Sequence, residues 1–322
     1  MTVHASQPQA ASRALRGLRA GLLALFLVAG AGCAHAGPGR PLAAGVGVQL
    51  PRPDGSRVVV IVMENAEYGE VIGNFRAPFL NALAERYGLM THSFAITHPS
   101  LPNYLALTGG STAGISSDCS ACAVSAPNIV DELEGAGISW RAYLEGAPHA
   151  CFRPSSAGGY AKKHNPFIYY TDVAGSPQRC RHLVGFGRLS SDLRGGRLPT
   201  YSWITPNLCD DGHDCGVRGA DKFAARTVPL LLKALGRHGF LVLTWDEGTS
   251  DAGCCAIARG GHIATILAGP QIRRGGRVAA PVDHYGVLAT IEAALRLRPL
   301  AGAGSPANGS ARGLFVSPPH LR

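Results

Sequence analysis

From residue 57 to residue 300, short unbroken apolar runs alternate with longer segments whose apolar positions recur at helical spacing. Arg57-Val-Val-Val-Ile-Val-Met63 opens this region as a run rich in β-branched residues, the pattern of a strand buried on both faces. The same reading places strands at Ile138–Tyr143, Thr200–Ile204, Phe240–Trp245 and Ile263–Ala268. Helical spacing covers Pro78–Tyr87, ended by Gly88, then Leu101–Leu107 and Asn128–Glu134, stopped by Gly135. Two longer helices follow at Ala220–Leu235 and His284–Leu297. Residues 145–195 read as loop, 37–56 as a Gly/Pro-rich linker and 301–322 as a flexible tail. Strands alternating with helices imply an α/β fold: three layers, α/β/α, with a mostly parallel central sheet in one domain over residues 57–300.

The first 36 residues are an address and not part of that fold. Arg13, Arg16 and Arg19 form a basic region, Ala20–Gly30 an apolar one, and Ala34-His35-Ala36 a small-residue cleavage site. The apolar run is too short to span a bilayer. Cleavage near Ala36 gives a secreted protein, whereas Cys33 after Ala31-Gly32 offers an alternative lipid anchor. The net charge of +9 favours anionic substrates, but no lysine-rich or aromatic-interleaved basic stripe is present, which argues against a nucleic-acid partner. Beyond Cys33 the cysteines are even in number, and in an exported chain that points to disulfides. Local candidates are Cys119–Cys122 and Cys209–Cys215, with Cys151–Cys180 closing a longer loop; the adjacent Cys254 and Cys255 are left unassigned.

The acids change the picture most. Glu64-Asn65 directly follows the first strand, Asp246-Glu247 follows Phe240–Trp245, and Asp210-Asp211-Gly-His213-Asp214 follows Thr200–Ile204. Ligands of open parallel sheets bind outside the carboxyl ends of strands, so these clusters converge on one edge. A single acid there is an ordinary helix cap. Several crowded together repel, and a divalent metal with oxygen ligands relieves the repulsion. The second feature is His98-Pro99-Ser100-Leu101-Pro102-Asn103-Tyr104. Ser100 stands at a helix start, where it either caps the helix or, beside a metal, serves as a nucleophile with backbone N–H groups holding the oxyanion.

Val60–Asn65, Thr97–Tyr104, Thr205–Asp214, Trp245-Asp246-Glu247-Gly248 and Val282-Asp283-His284-Tyr285 together resemble the bacterial phosphoesterase family of secreted acid phosphatases and phospholipases C. That family lies in the alkaline-phosphatase-like superfamily. Lys163-His164-Asn165-Pro166-Phe167 and the short connections look most like the small actinobacterial secreted acid phosphatases, some of which act on phosphoinositides. The resemblance implies a divalent metal ion held by Glu64, Asn65, Asp246, Glu247 and Ser100, with Ser100 also the nucleophile. It implies that His213 binds the phosphoryl group or protonates the leaving group, and it brings Asn103 and His284 into the catalytic set. His213 follows Asp210 by three positions, where two-metal members have four, and Asp246-Glu247 replaces the superfamily's common Asp-His pair.

The remaining histidines divide. The helix dipole opposes charge on His284, beside Asp283, and keeps it neutral. His262 joins the site only if its strand is antiparallel. Lys163 and His164 read as phosphate contacts, with a solvated loop as the alternative for His164, and His98 reads as structural. The function expected is an exported phosphomonoesterase working through a phosphoserine. The enzymatic alternative is a phospholipase C-like diesterase, and the non-enzymatic one a binding protein.

Overall fold

The computed structural model describes residues 56–317. The leader expected over residues 1–36, with Cys33, and the linker before Ser56 lie outside the described residues. In chain order the elements are β1 (Val58–Met63), α1 (Tyr68–Val71), α2 (Pro78–Arg86), β2 (Gly88–Phe94), α3 (Ser100–Gly109), α4 (Ile129–Gly135) and β3 (Trp140–Leu144). A small hairpin of β4 (Ser156–Ala157) and β5 (Tyr160–Ala161) follows, then α5 (Thr171–Ala174), α6 (Pro177–Cys180), β6 (Leu183–Val184), α7 (Phe186–Arg194) and β7 (Tyr201–Thr205). The chain continues through α8 (Gly216–Ala234), β8 (Phe240–Trp245), β9 (His262–Ala268), β10 (Arg277–Val278), β11 (Val282–Asp283) and α9 (His284–Leu295).

The main sheet runs β10-β2-β9-β8-β1-β7-β3-β6, with β11 added against β2. β1 lies between β7 and β8, parallel to both, and β3 is parallel to β7 and β6. β9 alone is reversed within this order, antiparallel to β8 and β2. The reason is its connection: residues 246–261 turn back at the carboxyl edge with no crossover helix, and a parallel return needs one.

β1 shows why its sequence is an unbroken apolar run. Val58, Val60 and Val62 pack into the cluster shared with Leu101, Tyr104 and Leu288 of α3 and α9. Val59, Ile61 and Met63 pack into the opposite cluster, with Leu80, Phe223 and Val228 of α2 and α8. All six side chains are inaccessible to solvent, and each such Val or Ile stabilises the fold by about 1.5–3 kcal/mol. The three-layer, mostly parallel arrangement expected from the sequence is the one observed.

Two expectations need correction, and one strand went unread. Residues 145–195 are not loop alone: β6 reaches the sheet edge, and α7 buries Leu189. β2 (Gly-Leu-Met-Thr-His-Ser-Phe) is a strand that its polar residues conceal. Residues 301–317 do not form a loose tail, since Leu314 and Phe315 are buried and Phe315 bridges Ile272. The disulfide candidates pair as read, Cys119–Cys122, Cys151–Cys180 and Cys209–Cys215, and Cys254 pairs with its neighbour Cys255. No helix among the described residues is long and apolar enough to cross a membrane.

Candidate active site

The register of β1 and β8 builds the site. Met63 pairs with Trp245, so Glu64 and Asp246 leave the two strands side by side. The backbone N–H of Asn65, a residue in the left-handed region at φ 51°, donates to Asp246 Oδ1 at 3.1 Å. From β7, the loop after Thr205 returns to β1, where Glu64 N–H donates to the carbonyl of Asp211 at 3.0 Å. The three sequence clusters therefore do meet at the carboxyl edge.

Ser100 opens α3 and is buried against this edge. Its Oγ lies 3.2 Å from Glu64 Oε2 and 3.1 Å from Glu247 Oε1. Tyr104, four residues on and thus on the same helix face, donates its hydroxyl to Glu64 Oε1 at 2.5 Å. Asn103 does not face the reacting region. Its Oδ1 accepts from the Ile96 and Thr97 N–H groups, and its Nδ2 donates to the Thr97 and Pro99 carbonyls. Every polar atom of its buried side chain is spent on the turn that delivers Ser100, so Asn103 is a positioning residue and not a catalytic one.

His98 is the opposite case. Read as structural, it points Nδ1 at Glu247 Oε2, and its Nε2 lies 3.1 Å from the Ser250 carbonyl. Burial opposes its charge, but the bond to Glu247 and the Ser250 carbonyl outweigh burial and raise its pKa. An open cleft of about 520 Å³ is lined by Asn65, His98, Pro99 and residues 247–251. It opens Glu247 toward solvent.

His164 is neither a solvated loop residue nor exposed to a passing phosphate. It is buried, with Nε2 3.1 Å from Glu64 Oε1 and Nδ1 3.3 Å from Asp211 Oδ2. Burial works against its charge, yet the two carboxylates raise its pKa to about 9 and hold an imidazolium between them. In return His164 pulls Glu64 below the usual range against the upward push of burial. Glu64, His164 and Asp211 also lie close enough to hold a cation, which would require His164 as a neutral imidazole in place of the imidazolium. Asp211 carries no signal of its own beyond its place in the acidic run.

His284 is buried too, its Nε2 donating to the Asp246 carbonyl at 2.6 Å while Nδ1 has no partner. Burial pulls its pKa down to about 4, so it is neutral, as read from the sequence; burial, more than the helix dipole, is the cause. It braces Asp246 from behind. His262 stands on an antiparallel strand, but its ring stacks on Tyr68 at 4.5 Å and Phe94 at 5.1 Å, and its Nε2 is bonded to the Thr91 carbonyl. It packs beside the site and shows no polar contact with the acids. His213 sits at the surface, Nδ1 bonded to Asp214 and its ring 6.2 Å from that of His164. Lys163 reaches the site's rim, where Nζ pairs with Asp118 at 2.9 Å.

The electrostatics are unbalanced. Burial, together with the charges of Glu64 and Glu247, pushes the Asp246 carboxyl well above its usual range. Its Oδ2 is buried without a partner. A cluster of oxygen donors, one of them orphaned, fits a hard divalent cation.

Compared with solved structures, the fold is that of the alkaline phosphatase superfamily. A superfamily member from Vibrio parahaemolyticus superposes with a TM-score of 0.52 at 12% identity, covering 74% of this chain and 65% of that one. Residues 74–298 match the Phosphoesterase family, and the chain belongs to that family, whose matched segment begins after Glu64. It is a hydrolase of phosphoric esters. A phosphatidylinositol-3-phosphatase from Mycobacterium tuberculosis is 33% identical over 242 residues, 74% of this chain and 77% of the relative. A probable acid phosphatase from Kluyveromyces lactis is 34% identical over 253 residues, 74% of this chain but 57% of the relative, so the chain spans little more than half of that protein.

Proposed function

We propose that the chain is an exported phosphomonoesterase of the acid phosphatase type, with Ser100 as nucleophile and phosphoinositide head groups among its substrates. The observation that carries this reading is the seat of Ser100 Oγ, at the start of α3 and within 3.2 Å of two buried carboxylates. The leader, the paired cysteines and the names of the relatives support it. Glu64, Asn65, Asp246, Glu247 and Ser100 would hold a divalent cation, which when bound supplies positive charge to acidify the serine hydroxyl and offset phosphoryl charge.

The chain's own groups then divide the work. Ser100 Oγ bonds to phosphorus as the P–O bond to the alcohol breaks. Glu247, whose other oxygen is held by His98, accepts the hydroxyl proton. His213, at the surface, delivers a proton to the departing oxygen. Water then attacks the phosphoserine, releasing phosphate and restoring the hydroxyl. Asn103 and Tyr104 hold the geometry.

The test is a panel of phosphomonoesters, short-chain phosphoinositides and phosphatidylcholine, assayed with divalent cation on wild type and Ser100→Ala. Activity on monoesters is expected to fall by at least about a thousandfold, roughly 4 kcal/mol of barrier. Near-normal turnover in Ser100→Ala would remove the serine from the chemistry. A higher specificity constant for phosphatidylcholine than for monoesters would hand the chain to the phospholipase reading.

A further inference from the structure

α3 begins without a side chain to cap it, because Pro99 precedes its first residue. The N–H groups of its first turn therefore need acceptors from elsewhere. Leu101, the residue after the nucleophile, donates to Asp118 Oδ1 at 2.9 Å, from 17 residues further along the chain. The other oxygen of the same carboxylate, Oδ2, receives Lys163 Nζ at 2.9 Å. One carboxylate thus bridges an N–H beside the nucleophile and an ammonium that reaches the site from another segment. These are the two kinds of donor that a phosphoryl oxygen next to Ser100 would use. An anion is already seated there, and it belongs to the protein.

We propose that Asp118 is an internal stand-in for the substrate's phosphoryl group, which must displace its carboxylate from Leu101 N–H and Lys163 to bind. The inference rests on the phosphoesterase reading of Ser100 and adds to it a residue that sets affinity for the anion. A single N–H and a single ammonium serve the bound phosphoryl group only once Asp118 lets go, and its charge repels a dianion until then. Asp118 is partly exposed on the loop after α3, and the Cys119–Cys122 disulfide directly follows it.

Asp118→Asn separates this role from capping, since Asn caps a helix start about as well as Asp but carries no charge. Calorimetric titration of the purified full chain with inorganic phosphate, in buffer containing magnesium, needs no turnover. Its outcome is therefore separate from that of the Ser100→Ala assay. The variant is expected to bind phosphate at least about fivefold more tightly, the effect of removing one charge about 4 Å away in water-like surroundings. That ratio should shrink toward one at about 1 M salt, where the Debye length is about 3 Å. The melting temperature should stay near that of wild type. Phosphate affinity that is unchanged or weaker in Asp118→Asn, or a ratio indifferent to salt, would overturn the proposal and leave Asp118 as a cap and ion pair.

Discussion

Two buried aspartates at opposite edges of the same sheet answer the cost of burial in opposite ways. At the amino edge Asp192 is inaccessible to solvent, and the Arg141 guanidinium, Arg188 Nε at 3.0 Å and the Tyr143 hydroxyl at 2.9 Å all bond it. Burial pushes its pKa up, but Tyr143, Arg188 and Arg141 overcome that push and hold it below the usual range. At the carboxyl edge Asp246 is equally buried, takes one backbone N–H, and leaves Oδ2 with nothing. Its neighbours Glu64 and Glu247 add repulsion in place of relief. A larger cavity, about 590 Å³, also lies at the amino edge beside Arg57, Asp192 and Lys233, away from Ser100. Burial alone does not mark a functional acid, and neither does cavity size. What distinguishes the two aspartates is whether the chain places a countercharge in contact with the carboxylate.

The contrast can be broken at either end. The largest effect is expected from Asp246→Asn, which keeps an acceptor for Asn65 N–H and removes the charge. Activity should drop by at least about a thousandfold, while the cation-free protein melts no lower than wild type. A clear loss of stability there would show Asp246 to be structural. Asp192→Ala should do the reverse, costing about 3 kcal/mol by stranding buried partners, or roughly 6–12 °C in Tm. Turnover per folded molecule should stay near wild type. Because the folded pKa of Asp192 lies below its unfolded value, its contribution is complete above the ordinary carboxylate range and is lost as pH falls below about 4. The melting difference between Asp192→Ala and wild type should therefore narrow on acidification. A difference that stays constant with pH would remove charge from the explanation.

A third buried acid sharpens the comparison with the smallest change. Glu292 on α9 accepts Leu300 N–H at 3.0 Å through Oε1, leaves Oε2 unpartnered, and is pushed by burial up to about 8. Here the folded state keeps a proton that the unfolded chain releases, so stability declines as pH rises from about 4.3 toward 8. Glu292→Gln should melt about 2–4 °C higher at pH 8, the equivalent of about 1 kcal/mol, and match wild type near pH 4. An equal gain at both pH values would mean packing and not ionisation is responsible.

How much of this could be read from residues alone varies with the kind of signal. β1 and β8 are buried on both faces, so their runs of Val, Ile and Leu announce them. β2 carries Thr91 and His92 beside a register shift between Met90 and Ser93, which erases any period. The gathering of Glu64, Asp246 and Asp211 followed from strand ends, because a parallel sheet sends its carboxyl termini to one side. The fate of each histidine did not follow, since it depends on partners from other strands. His164 lies in a basic stretch that looks solvated, yet its acids arrive from β1 and from the loop after β7. Asn103 turns to its own backbone and His98 to Glu247 and the Ser250 carbonyl, because one motif can use an amide for its own turn or direct an imidazole toward a neighbouring loop. The Gly-, Ser- and Pro-rich composition after residue 300 hid two buried anchors, Leu314 and Phe315.

We propose that the carboxyl-edge acids are completed by a cation from solution. Thermal unfolding of chelated protein, with and without added divalent metal, tests it on wild type and Asp246→Asn. A cation at about a hundred times its dissociation constant should stabilise wild type by about 2.7 kcal/mol, a rise of several degrees, restore activity, and do neither in Asp246→Asn. Full activity after exhaustive chelation, with no metal-dependent change in melting of the wild type, would contradict it.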